Sequence, residues 1–159
     1  MREAWVPDIL NPDGIVPYLD PSQLFLARTK TQTDSLAVAE EALKDGAIPF
    51  VIIGITHPLD LREGRRLQLA ARANGATGLC VIPEDMGSNA AETRWRAAPL
   101  FDLDQEDGAR VDSTLMRWEI IKNKSGTTGA WDVRWDSETR RLHVVSPAGK
   151  RPGSQGMPG

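Results

Sequence analysis

Between residues 24 and 82 short apolar runs alternate with amphipathic helical stretches, and this order constrains the fold more than any other feature of the chain. The runs are Leu24–Arg28, Phe50–Ile53 and Leu79–Ile82. Phe50–Ile53 shows no polar alternation, which suits a parallel strand covered on both faces. Leu36, Ala39 and Leu43 recur at helical spacing from about Thr33 to Asp45, with Thr33 and Asp34 at the start and Gly46 as the stop. In the next stretch Asp60 and Glu63 stand three residues apart, as in a capping box, and the helix runs to Asn74 with Gly75 beyond it. Leu67, Ala70, Ala71 and Asn74 share one face of it. Strand, helix, strand, helix, strand implies parallel strands joined by right-handed crossovers. The expected class is α/β.

The flanks read differently. Residues 1–23 are rich in turn formers and form an irregular lead-in, with a short helix expected near Gly14–Leu19. After Pro83 a small turn or helical piece at Ser88–Glu92 precedes a strand at Thr93–Phe101, and residues 102–112 read as a solvated acidic loop. Strands are expected at Trp118–Lys122, Ala130–Trp135 and Arg141–Val145. Trp131, Val133 and Trp135 alternate, the mark of an antiparallel strand with one buried face. The expected organisation is one domain over 1–146 and a disordered Pro, Gly and Ser-rich tail over 147–159.

Composition narrows the function. A chain of 159 residues, 40% apolar and 26% charged, can bury one core. Its net charge of −3 argues against coating nucleic acid by bulk attraction and leaves that role to a local basic patch. The lone Cys80 excludes a disulfide framework or a cysteine zinc site and points to a reducing cytoplasm. No apolar stretch approaches the roughly 20 residues that span a bilayer, so no membrane association is expected. His57 and His143 read as loop or strand-surface residues, without a carboxylate cluster at metal spacing. There is no Gly-x-Ser-x-Gly elbow and no Gly-x-x-x-x-Gly-Lys phosphate loop. Phe50–Ile53 runs into Gly54-Ile55-Thr56, with no carboxylate to stand beside Mg²⁺. No cofactor, no metal and no catalysis are expected.

Three groups remain as candidate contact residues. Arg94-Trp95-Arg96 can stack a base and hold phosphates, or meet a protein partner; alternatively Trp95 lies in a sheet face and its arginines point to water. Arg62, Arg65, Arg66 and Arg72 can grip DNA or an acidic partner, or simply solvate a helix face. Lys122 and Lys124 can extend the first group, or be a polar strand end.

Over roughly residues 20–136 the chain resembles the RecA-like superfamily. Ser35–Ile55 looks like the RecA segment leading into the strand that bears the metal-site aspartate, and Arg117–Lys124, ending Lys122-Asn123-Lys124, is similar to a RecA strand ending in Lys-Asn-Lys. There the lysines reach a nucleotide bound by the neighbouring protomer, a role the resemblance extends to Lys122 and Lys124. Pro21–Arg28, Arg65–Ala71, Ala91–Arg96 and Gly129–Asp136 resemble the ImuA family more closely. The resemblance implies a partial RecA-like three-layer core, of parallel strands with crossover helices, plus C-terminal antiparallel strands. It also implies a non-catalytic accessory of damage-induced translesion synthesis. The partners would be an ImuB-type polymerase-like protein, an error-prone polymerase and a RecA-type filament, with weak, salt-sensitive DNA binding at most. The strands that would carry a phosphate loop are absent and the loop from Pro83 to Asn89 is short, so either the protein begins upstream of Met1 or the chain folds against something else. A degraded RecA-like nucleotide- or DNA-binding protein and a SulA-like cell-division inhibitor are the alternatives.

Overall fold

The structure, a computed structural model, describes residues 11–84, 86, 90–101 and 114–145. The acidic loop at 102–112, the tail, residues 1–10 of the lead-in and Ser88–Asn89 of the expected helical piece lie outside the described residues. The chain divides into two units, Met1–Glu92 and Thr93–Gly159.

The first unit contains α1 (Pro12–Ile15), a 3-10 turn (Pro21–Gln23), α2 (Gln32–Asp45), β1 (Phe50–Gly54), α3 (Leu61–Ala73) and β2 (Thr77–Val81). Both long helices are fixed locally. Thr31 caps α2 by accepting from the Asp34 N–H, and Gly46 ends it at φ +79°, a left-handed conformation that glycine adopts without penalty. Asp60 and Glu63 close a full capping box on α3: Glu63 N–H donates to Asp60 Oδ1 at 2.6 Å and Asp60 N–H to Glu63 Oε2 at 3.0 Å. Asn74, at the end of α3, donates through Nδ2 to the Lys44 carbonyl, satisfying one of the acceptors that α2 leaves open at its C-terminus.

β1 and β2 pair in parallel with Ile52 opposite Leu79, the crossover geometry expected. Leu36, Ala39 and Leu43 of α2, Leu67 and Ala70 of α3, and Ile53 and Ile55 of the first strand form the core, with Val51, Cys80 and Ile82 packed against it. Both helices thus lie on the face that carries Val51, Ile53 and Cys80. The opposite face, with Phe50, Ile52, Leu79 and Val81, is exposed, Ile52 to 58%. Coverage on both faces was the expectation; the described residues make two layers, and a third is not among them. Leu24–Arg28 also departs from expectation. It joins no sheet among the described residues, and Phe25 is 87% exposed. An apolar run becomes a buried strand only where a neighbour supplies ladder hydrogen bonds, and among the described residues β1 and β2 pair only with each other. The short helix expected near Gly14–Leu19 forms earlier, at Pro12–Ile15.

The second unit is a four-stranded antiparallel sheet in the order β3 (Thr93–Pro99), β4 (Met116–Asn123), β5 (Gly129–Asp136), β6 (Arg141–Val145). All four strands were expected, within a few residues at their ends. Thr114 ties the start of β4 to the end of β5: its Oγ1 donates to the Trp135 carbonyl at 2.7 Å and accepts from the Trp135 N–H at 3.1 Å. Among the described residues no helix is long and apolar enough to cross a membrane.

Candidate functional site

The antiparallel sheet sorts its side chains by face, because side chains alternate along each strand. Register places Trp95 opposite Ile120, Ala97 opposite Trp118, and Trp118 opposite Trp131. Met116, Val133 and Val144 continue the same face, as do Trp135 and Leu142. Val133 is its buried centre, so the alternation at Trp131, Val133 and Trp135 reads as expected. Trp95 makes an edge-on contact with Trp118 and a tilted one with Trp131, each at 6.2 Å between ring centroids. Gly129 allows this arrangement: a Cβ there would stand 2.8 Å from Cη2 of Trp131, whose ring folds over the glycine. Trp95 and Trp131 are nevertheless 47% and 40% exposed. The indole Nε1 of Trp118 is buried with no acceptor among the described residues.

The other face is a ladder of charge. Arg117 grips Asp132 with two hydrogen bonds, Nε to Oδ1 at 2.8 Å and Nη2 to Oδ2 at 3.0 Å, and Arg96 reaches Glu119 at 3.4 Å. The Arg117 guanidinium beside Asp132 holds its carboxyl below the usual range. Asp136 is lowered by the Thr139 hydroxyl and then by the backbone N–H groups of Thr139 and Glu138. A carboxylate whose folded pKa is depressed stabilises the fold above its unfolded value, and that contribution is lost as pH falls through the folded one. Acid unfolding, followed by tryptophan fluorescence, is therefore expected to steepen below about pH 4, and Asp132→Asn to flatten that limb. An acid limb unchanged in Asp132→Asn would show that the pair contributes nothing.

These faces divide the triplet singled out in the sequence. Trp95 lies on the tryptophan face, whereas Arg96 lies on the charged face, tied to Glu119. Arg94 stands opposite Lys122 across the β3–β4 pair, at a bulge one residue from Trp95. Lys124 follows in the exposed turn after β4. Arg94, Trp95, Lys122 and Lys124 are thus brought to one end of the sheet, but Arg94 alternates with Trp95 along β3 and shares the face of Arg96, so neither arginine is part of the aromatic surface. Trp118, Trp131 and Gly129 complete that surface; of these, Trp131 stood out in the sequence as one of a Trp-x-x-x-Trp pair, whereas Trp118 and Gly129 did not. The alternation of tryptophans was a signal, but only the cross-strand register joins Trp131 to Trp95.

The α3 arginines disperse. Arg66 pairs with Glu40 of α2 at 2.5 Å, Arg72 with Glu92 at 2.5 Å, and Arg65 donates to Gln68 at 2.6 Å. Arg62 has no acidic partner among the described residues. Arg66 and Arg72 act as intramolecular braces, the solvated-face alternative in a more specific form. Burial pushes the Cys80 thiol above its usual range, which disfavours the nucleophilic thiolate. His57 is exposed after β1, with Nδ1 2.9 Å from the Thr56 hydroxyl, and His143 is exposed on β6.

Two curated proteins, from two strains of Caulobacter vibrioides and both called Protein ImuA, match this chain at 26% identity over an alignment 121 residues long. The chain is similar to Protein ImuA. The alignment covers 69% of this chain and 49% of each ImuA, so the chain spans about half the length of the ImuA relatives it matches. No protein-family pattern matches it. No solved structure matches it either.

Proposed function

We propose that this chain serves damage-induced mutagenesis as a non-catalytic accessory to error-prone lesion bypass, and that it works by binding other proteins. The observation that carries the reading is the likeness to ImuA, reached also from Pro21–Arg28, Arg65–Ala71, Ala91–Arg96 and Gly129–Asp136. The contact partners in this reading are an ImuB-type polymerase-like protein and an error-prone polymerase, with a RecA-type filament as a further one. The uncovered apolar face of β1 and β2 supports action by contact, since contiguous exposed apolar surface of this kind marks association sites. Deleting the gene is expected to lower damage-induced mutation frequency while leaving the spontaneous frequency unchanged. An unaltered induced frequency would remove the reading.

This chain is also expected to turn over no ATP. It has no phosphate loop, and Gly54 stands where a metal-site carboxylate would follow the apolar strand. Phosphate release in the presence of Mg²⁺ should match a denatured control; turnover above that control would overturn the non-catalytic assignment.

A further inference from the structure

The outward sides of α2 and α3 carry charge of opposite sign. Asp34, Val38, Glu41 and Asp45 recur along α2 at helical spacing and are exposed, Val38 to 43%. Leu61, Arg62, Arg65 and Leu69 do the same on α3, its two leucines 67% and 51% exposed. The one cation of α2 is Lys44, held by Glu40 and Glu41, and the one anion of α3 is Glu63, engaged in the capping box. Asp34 accepts from the Thr31 hydroxyl and Arg65 donates to the neutral Gln68, so neither meets an opposite charge there. Asp45 and Arg62 have no partner of opposite charge among the described residues. The two helices lie side by side on one face of the β1–β2 pair, joined by Glu40 to Arg66 and by Asn74 to the Lys44 carbonyl. An acidic ridge and a basic ridge of similar length thus run next to each other.

Such a surface is complementary to its own copy. A two-fold axis along the helices sets α2 of each copy on α3 of the other, because a symmetric contact that brings one residue to a second also brings the second to the first. The C-terminal ends of α2 and α3 are adjacent at Lys44 and Asn74, so both helices run the same way. Asp34 of one copy then falls beside Arg62 and Arg65 of the other, with Val38 within a turn of Leu69. We propose that the outward faces of α2 and α3 are the seam of a homodimer, held by these charges around a small apolar centre. Nucleic acid is the poorer match for α3. Arg66 and Arg72 already brace Glu40 and Glu92, and the exposed leucines offer nothing to a phosphate backbone. Two short helices make a small seam with few charges, so the dimer is weak and released by salt. The proposal is independent of the likeness to ImuA and stands on the exposure, sign and placement of these side chains.

Sedimentation velocity of the full chain tests this. At low salt and roughly 100 μM, where a seam with a micromolar dissociation constant is filled, the 17.4 kDa chain should sediment as a dimer. Salt at about 1 M, where screening reaches roughly 3 Å, should weaken it about tenfold or more. The α3 reversal, Arg62→Glu with Arg65→Glu, and the α2 reversal, Asp34→Lys with Asp45→Lys, should each abolish it by setting like charges together. Mixed in equal amounts, the two reversed proteins should form an equimolar heterodimer at low salt, since each then meets opposite charge at both contacts. Leu69→Gln should weaken the parent dimer about tenfold, and Glu138→Lys, on the other unit, should leave it unchanged. If circular dichroism shows the α2 reversal unfolded, Asp34→Asn keeps the Thr31 contact, drops the charge and should still weaken the dimer several-fold. The proposal fails if the chain is monomeric at low salt, or if a dimer survives both high salt and the α3 reversal. It fails equally if Ile52→Lys abolishes the dimer and the α3 reversal does not, since the exposed sheet face would then be the seam. Binding of a DNA duplex by the monomer, lost in the α3 reversal, would overturn it in favour of a nucleic-acid surface.

Discussion

Leu43→Ala is expected to destabilise the helical unit by about 2–5 kcal/mol, the range for emptying a fully buried leucine site. Leu43 is completely buried and central to the core shared by α2, α3 and β1. Its methyl groups also reach β2, where a Cβ on Gly78 would lie 3.4 Å from Cδ1. The hole would not close easily, because the surrounding atoms belong to four elements whose mutual positions it helps to set. Against a typical domain stability of 5–15 kcal/mol, and in a unit whose second sheet face stays uncovered, the loss should appear as a large fall in the midpoint of the helical circular dichroism. Val38, exposed on the same helix, provides the contrast. A midpoint in Leu43→Ala within the shift seen for Val38→Ala would show that this core does not hold the unit together.

Val133→Asp is expected to disrupt the sheet unit at a cost of about 3 kcal/mol or more, since a buried carboxylate without a partner must either lose its hydration or take up a proton. Val133 is the buried centre of the tryptophan face, set between Met116 on one side and Val144 on the other. Arg134 is next along β5 but belongs to the opposite face, so its charge cannot readily compensate. Tryptophan emission should shift to the red and its unfolding transition should move to much lower denaturant. A carboxylate tolerated at Val133, with emission unchanged, would mean that the face is wetter than its burial indicates.

Legibility of the candidate site follows the range of the interactions that build it. Arg94, Trp95, Lys122 and Lys124 stand out in the sequence because cations beside aromatic rings suit anionic or aromatic ligands. The partners of the two arginines were not legible, because they depend on cross-strand register, which sets Arg94 opposite Lys122 and ties Arg96 to Glu119, 23 residues away. Likewise the α3 arginines form one charged surface in the sequence, and only the packing of α2 beside α3 brings Glu40 to Arg66.

The sequence alone determined what interactions within a few residues decide. Both long helices end where Gly46 and Gly75 take left-handed backbone at φ +79° and +69°, and α3 begins at a capping box whose partners are three residues apart. The alternation along β5 likewise shows which of its residues turn inward. Tertiary structure decided everything that needs a distant partner. Leu24–Arg28 and Phe50–Ile53 are both short apolar runs, yet only the second became a strand, because Thr77–Val81 pairs with it and no neighbour among the described residues pairs with the first. An apolar run records a tendency to leave water, but it does not record which face will be covered. That depends on where the crossover helices settle, and here they settled together on the side of Ile53, leaving Ile52 and Leu79 exposed.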